Sequence, residues 1–450
     1  MLSRRAFLAA VATPAFVQGA PPKLTVSTFT EDVTPPVGHA CMGGGISPVK
    51  EVVDPLFANG FVLDGAGDPI VLVAVDWCEI RNDAYDRWRD AIATAVGTKR
   101  VRVLVTALHQ HDAPVADLTA QQLLTDANAK GSVCDPAFHE KVVQRVAKAA
   151  KASRARAKRV THVGTGQAKV TDVSSNRRYL DGVTIRFDRT STTRDPKIRA
   201  ADAGLIDPYL KTLSLWDGDT PVLALTAYAV HPMSSYGKGL VSADFVGLAR
   251  RMRQTDEPKT FQVYVSGCSG NVTAGKFNDG AAGNRMALGR RLHDAMREAW
   301  KDTTRRPIET CSFRSVPLKL SARTGKGFSS DEMMATIKGD GRPFGQCLAA
   351  IGESWRRRVA EGRPIDVGAI DFGGPAFVLL PAEAYVEYQL MAQAARPKGF
   401  VVTAGYGECG PGYIPIEQAW KENDSNLTDW CWVDPGCEEK MRAAITEVLK

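Results

Sequence analysis

The chain contains seven histidines in 450 residues, and two of them, His109 and His111, stand two positions apart at the end of the apolar run "VRVLVTALHQHDAPVAD" (101–117). In a β-strand, residues i and i+2 share a face, so both imidazoles can point into one cleft. Imidazole is a common ligand of zinc, and such a site needs three or four donors, the rest of which must come from distant parts of the chain. Three further segments end an apolar run on a group of the right chemistry. His231 closes "VLALTAYAVHP", Glu383 follows "PAFVLLPAE", and "FQVYVSGCSGNVTAG" (261–275) runs into a Gly/Ser/Thr/Asn loop carrying the Thr273 hydroxyl. Each has a plainer structural reading. The histidine pair fits a hydrogen-bonded surface pair, His231 a strand end before a turn-forming proline, the Gly-rich loop a turn, and Glu383 a charge at a helix start. Four strand ends with the same signature point together to a site.

The elements that must position these groups alternate between strand and helix patterns, which predicts an α/β architecture with one continuous catalytic unit. Residues 61–80 read as a hairpin turning at Gly65 to Asp68, and 82–97 as a helix capped by Asn82. Strands are expected at 212–216, 222–230, 261–266, around 307–319, 367–372 and 375–380. Helices are expected at 283–300, near 384–395 and at 435–449. The polar, basic stretch 181–208 reads as a long surface loop. No internal repeat is visible in the sequence.

Composition bounds the function. An apolar content of 44% supports a large core. The first twenty residues, with Arg4 and Arg5 before a short apolar run, read as a twin-arginine export signal, leaving 21–450 as the mature chain. Removing them takes two arginines and lowers the net charge from +7 to +5. That apolar run is too short to span a bilayer, and the expectation is an exported protein, periplasmic or secreted by a bacterium. The basic stretch 141–160 lacks interleaved aromatics, so its charges read as the solvated face of a helix and not as a nucleic-acid surface. The nine cysteines show no C-x-x-C metal spacing, and they read mainly as buried structural residues. Cys431 with Cys437, or either with Cys409, are the nearest disulfide candidates.

Seven short motifs in order, "TEDVTPPVGHACMGGG" (30–45), "TALHQHDAP", "SSNRRYL" (174–180), "HPMSSYGKGLVSADFVG", "CSGNVTAG", "LLPAEAYVEY" and "TAGYGECGPGYIPIEQAW" (403–420), resemble the successive motifs of the neutral/alkaline non-lysosomal ceramidase family. The resemblance spans residues 25–449. It implies a mixed α/β catalytic domain with β-sheets flanked by helices and a site built from loops at strand ends, without the family's C-terminal immunoglobulin-like domain. It implies zinc held by His109, His231, Glu383 and Tyr413. His111 lies beside the metal and assists the reaction, and Arg177 and Thr273 orient the substrate. The implied activity is hydrolysis of an amide in an N-acylated lipid of the ceramide type by metal-activated water. Such a substrate brings transient contact with a membrane surface, and no obligate protein partner is implied.

Two segments depart from the family pattern. Where the family shows G-D-V-S-P-N, this chain has Gly270-Asn271-Val272-Thr273-Ala274-Gly275, and the extra methyl stiffens the side chain. Where the family shows T-H-T-H-S-G-P, Asp112 brings a negative charge next to the site. Two alternatives therefore stay open: a zinc hydrolase of another amide, ester or sugar conjugate, and a non-catalytic exported binding protein on the same fold.

Overall fold

The computed structural model describes residues 23–450; the segment read as an export signal lies outside the described residues. Three large sheets are built from three consecutive stretches of chain. The first contains β1 (Leu24–Asp32), β2 (Phe57–Asp64), β3 (Ile70–Val75), β4 (Val103–Ala107) and β5 (Lys158–Val160), in the order β4-β3-β2-β1-β5. The second contains β6 (His162–Lys169), β7 (Tyr209–Asp217), β8 (Thr220–Tyr228), β9 (Phe261–Ser266) and β10 (Thr304–Pro307), in the order β9-β8-β7-β6-β10. The third contains β11 (Ser312–Leu318), β12 (Ile365–Asp371), β13 (Pro375–Leu379) and β14 (Phe400–Ala404), in that order.

Each sheet is antiparallel until its last pair, which is parallel: β3 with β4, β8 with β9, β13 with β14. Parallel neighbours need a crossover, and a helix supplies it each time. These are α1 (Asn82–Val96) in the first sheet, α3 (Asp244–Asp256) in the second and α6 (Val386–Ala395) in the third. A later helix packs on each crossover helix: α2 (Pro136–Ser153) on α1, α4 (Asn284–Lys301) on α3, α7 (Cys437–Val448) on α6. A further helix, α5 (Pro343–Ala360), packs on the short helix Ser330–Lys338. The architecture thus repeats although the sequence does not.

The apolar patterns explain the layering. In β3, Ile70, Leu72 and Ala74 face a core shared by all three sheets, while Val71, Val73 and Val75 face the helices. A strand buried on both faces reads as a continuous apolar run, which is what "IVLVAV" is. Helix α2 starts where Asp135 accepts from Ala137 N and Phe138 N, at 2.9 and 3.1 Å, with Pro136 at the first helical position. Helix α1 ends on Gly97 at φ 78°, the left-handed stop that glycine allows.

At the carboxyl ends of the parallel pairs the sheets are joined to one another. Ala107 N donates to Tyr406 O and Gly405 N to Ser266 O, both at 2.9 Å, and Ser266 Oγ donates to Leu108 O at 2.8 Å. These bonds close a circuit from the first sheet to the third, the third to the second, and the second to the first.

Several sequence expectations are corrected. Asn82 begins α1 at φ 50° but does not cap it; its amide donates to Asp117 at 2.8 Å and Ser354 at 3.1 Å. The stretch 307–319 is two strands, because the chain leaves the edge of the second sheet before entering the third. The stretch 181–208 contains the turn and second strand of the hairpin Tyr179–Asp181/Thr184–Arg186 and the short helix Pro196–Ala200. All nine cysteines are free. Cys409 faces Gly407 O at 3.1 Å, Cys437 faces Pro415 O at 3.3 Å and Cys431 faces Val433 O at 3.9 Å, so each thiol is turned to a carbonyl and not to another sulfur.

Asp76, just after β3, is held by both Arg250 nitrogens at 2.7 Å, tying the first sheet to α3 through a buried ion pair. Removing one partner strands the other charge, so Arg250→Met should cost about 3–5 kcal/mol by denaturant titration. Adding Asp76→Asn should recover part of that loss. His139 on α2 lies against Trp77 and Trp88 with neither ring nitrogen hydrogen-bonded, and burial pushes it down to about 4. A base depressed in the folded state stabilises fully above its unfolded value near 6.5 and loses that stability as pH falls through about 4. The His139→Phe variant should therefore show a flatter loss of stability over that window.

Candidate functional site

The candidate groups meet where the closed circuit of hydrogen bonds brings the carboxyl ends of the parallel strands together. His109 lies two residues beyond β4 in the left-handed region, at φ 73°, with its N donating to Trp77 O at 2.9 Å. A non-glycine residue there is strained, and the surrounding hydrogen bonds hold it. His231 follows β8, with its N donating to Val272 O at 3.0 Å. Glu383 follows β13, preceded by Ala382 at φ 50°, and pairs with Tyr413 in a two-residue parallel ladder.

The second-nitrogen contacts decide the chemistry of the rings. His109 Nδ1 donates to Cys78 O at 3.0 Å, and His231 Nδ1 donates to Ser269 O at 2.6 Å. In neutral rings both Nε2 atoms then carry lone pairs. They lie 3.2 Å apart, and Glu383 Oε2 sits 3.1 Å from one and 3.0 Å from the other. In that state three acceptor atoms surround one point, an arrangement consistent with a cation at their centre. His109, His231 and Glu383 fit a divalent metal on the chemistry of this donor set.

The local electrostatics agree. Burial would disfavour charge on His109, yet Glu383 alongside raises its pKa above the ordinary value. Burial would likewise raise Glu383, but the two imidazoles hold it well below the carboxylate range. His231 is lowered to about 4, by burial first and then by Arg177. His111 is pushed well down by burial and by its two imidazole neighbours, so it is a neutral ring at physiological pH. Its Nδ1 faces His109 O at 3.2 Å, and its ring lies 4.9 Å from that of His109 and 5.4 Å from that of Tyr236.

His109, His111, Arg177, Glu383 and Tyr413 all line one cavity of about 300 Å³, whose apolar wall is Met42, Met233, Phe344 and Trp430. Arg177 donates to the Tyr413 hydroxyl at 2.6 Å and to Asn426 Oδ1 at 3.1 Å. Burial raises the Tyr413 phenol although Arg177 opposes it, so its hydroxyl keeps its proton in this arrangement. A larger hollow of about 520 Å³ lies at the other ends of β8 and β9, beside Arg156, Lys158 and Lys259, and carries none of these groups.

Two expectations change. Thr273 is fully buried and outside the cavity wall; its hydroxyl accepts from Gly275 N at 2.8 Å and donates to Thr190 O at 3.3 Å. Its reach toward a substrate is through Thr190, which does line the cavity. Asp112 does not aim its charge at the rings. Its carboxylate accepts from Gly237 N and Gly239 N, at 3.1 and 3.2 Å, and so pins the loop that carries Tyr236.

Two neighbours were missed. Tyr406 stacks on His109 with centroids 4.2 Å apart and bonds Ser269 Oγ at 2.6 Å, supporting both imidazoles. Glu79 lies 3.9 Å from His109 Nδ1, receives Trp430 Nε1 at 3.1 Å and is paired with Arg81. Its sequence signal was present, since "VAVDWCE" ends an apolar strand on a carboxylate just as "FVLLPAE" does.

The class that fold and site define is a mixed α/β domain with a buried His/His/Glu cluster at converging strand ends. The fold is that of the neutral ceramidases. The chain is similar to a solved ceramidase complexed with C2, at a TM-score of 0.68 and 16% identity over 95% of this chain and 75% of that one. It is similar also to the neutral ceramidase from Pseudomonas aeruginosa, at a TM-score of 0.67 and 16% identity over 95% and 74%. No family model and no curated protein sequence matches it.

If Asp112 anchors the Tyr236 loop, Asp112→Ala should cost about 1–3 kcal/mol and speed amide exchange across residues 235–241. Unchanged exchange there would show that the loop is held by other contacts.

Proposed function

We propose that this chain is a zinc-dependent hydrolase of an amide bond in an N-acylated, ceramide-type lipid. The observation that carries the reading is the triangle of His109 Nε2, His231 Nε2 and Glu383 Oε2, with every side at 3.2 Å or less. These three would hold the metal, with the Tyr413 hydroxyl on the same cavity wall. When bound, zinc supplies Lewis acidity, polarising the substrate carbonyl and lowering the pKa of water.

The chain's own residues do the rest. His111, neutral with Nδ1 turned to His109 O, presents Nε2 as a base that takes the proton of the attacking water. It then returns that proton to the amide nitrogen, so that the carbon–nitrogen bond breaks to give a carboxylic acid and an amine. Arg177, fixed between Tyr413 and Asn426, offers fixed positive charge to the developing oxyanion. The apolar wall excludes water and receives the acyl group.

Contact with a lipid surface is supported by the hairpin Tyr179–Asp181/Thr184–Arg186, which exposes Leu180, Val183 and Ile185. Residues on either side of it, Arg177 and Thr190, line the cavity. Export in the folded state fits the Arg4–Arg5 signal together with nine unpaired thiols, which suit folding in a reducing compartment. Among the described residues, no helix is long and apolar enough to cross a membrane.

Elemental analysis of the purified chain, paired with a screen of N-acyl lipids and esters, tests the reading. One zinc per chain is expected in the wild type, with most of it and nearly all amide hydrolysis lost in His231→Ala. Full zinc in that variant would contradict the ligand assignment.

A further inference from the structure

Of the three imidazoles at the site, His111 is the least firmly held. His109 and His231 are 1% and 0% exposed, and their Nδ1 atoms reach carbonyls at 3.0 and 2.6 Å. His111 is only half-buried, and its Nδ1 meets His109 O at 3.2 Å, the longest bond of the set. A ring tethered at one nitrogen still turns about its side-chain bonds. Its remaining support comes from neighbouring rings: His109, buried, with centroids 4.9 Å apart, and Tyr236, half-exposed on the wall of the same cavity, at 5.4 Å and an interplanar angle of 59°.

The loop that carries Tyr236 is fixed on both sides of it. Before it, Ser234 N donates to Asp244 Oδ2 at 2.8 Å, and Ser234 O accepts from Asn278 Nδ2 at 3.1 Å. After it, Gly239 O accepts from Lys50 N at 2.9 Å. Gly239 has φ 73°, and a Cβ there would lie 2.2 Å from Pro48 O, so the turn requires glycine. Asp112 adds a clasp from the His111 side, accepting from Gly237 N and Gly239 N. Two consecutive residues therefore grip one loop, His111 by its ring and Asp112 by its carboxylate. The triad's own anchors, Cys78 O and Ser269 O, lie outside this loop.

We propose that Tyr236 is the positioning residue of His111: its ring covers the imidazole and holds Nε2 toward the cavity, and Asp112 sets the loop from which it does so. The proposal rests on the reading of His111 as the base of an amide hydrolase. The aromatic ring carries the effect and not the phenol hydroxyl. A displacement of about 1 Å in a reacting group costs up to about a hundredfold in rate, so loosening the base by removing one supporting ring should lower kcat by about tenfold. A Tyr236 that gripped the substrate instead would act on KM.

The zinc-loaded wild type, Tyr236→Ala and Tyr236→Phe are compared on a short-chain ceramide, N-hexanoylsphingosine. Zinc content should be the same in all three. In Tyr236→Ala kcat should fall about tenfold with KM within about twofold of wild type, and Tyr236→Phe should restore kcat. Acylation by diethyl pyrocarbonate, read at His111 by peptide mass spectrometry, reports the cover over the ring without turnover. It should run several-fold faster in Tyr236→Ala and in Asp112→Ala, and at the wild-type rate in Tyr236→Phe. An unchanged kcat in Tyr236→Ala, a loss confined to KM, a loss that phenylalanine does not restore, or an unchanged acylation rate each overturns the proposal. If the wild type leaves this ceramide intact, the hydrolase reading fails by itself and the acylation rates decide the placement: acceleration in Tyr236→Ala but not in Tyr236→Phe upholds it, and equal rates overturn it.

Discussion

Crowding three unshared electron pairs into a space about 3 Å across is the constraint on which this molecule turns. His109, His231 and Glu383 follow strands of three different sheets, and their close approach is consistent with a shared positive charge. Placing them needs a frame that does not relax, and the hydrogen bonds linking Ala107, Ser266 and Gly405 provide it. The strain shows where it is held: His109, Ala382 and Tyr406 all have φ between 50° and 73°, each a short step past the end of a strand.

The same frame explains why the site lies where it does. Each sheet ends in a parallel pair whose carboxyl ends open toward the same point, and ligand sites in such sheets form outside the carboxyl ends of the strands. The core between the three sheets is filled by side chains such as Leu72, Leu104, Val263, Phe377 and Val402, so the strands cannot shift independently. Behind the triad, Glu79 and Arg81 neutralise each other under Trp430 and Trp432, which keeps the surroundings of His109 rigid. In front of it, Arg177 is the fixed cation facing the cavity.

Much of this was legible along the chain. The strand-then-donor signature located His109, His231 and Glu383 because an apolar run ending on a polar group is a local pattern. The hairpin at Gly65 to Asp68 and helix α4 were legible for the same reason: turn chemistry and helical periodicity depend on neighbours in sequence. Asn82, Thr273 and Asp112 were misread because each has a polar side chain whose partner is remote or belongs to a turn. Asn82 answers to Asp117 and Ser354, and Asp112 to the backbone near Gly239. Helix α5 escaped notice because its apolar residues are spread among small and basic ones.

The sequence by itself determined the types of group available, their positions at strand ends and the mixed α/β class, since these follow from residue chemistry and from periods of two and 3.6 residues. Only the tertiary structure decided which lone pair each imidazole offers, because the ring tautomers are set by the carbonyls of Cys78 and Ser269, 31 and 38 residues away. It alone turned Asp112 away from the rings and withdrew Thr273 from the cavity. Those outcomes depend on distances between segments far apart in the chain, which no local pattern encodes.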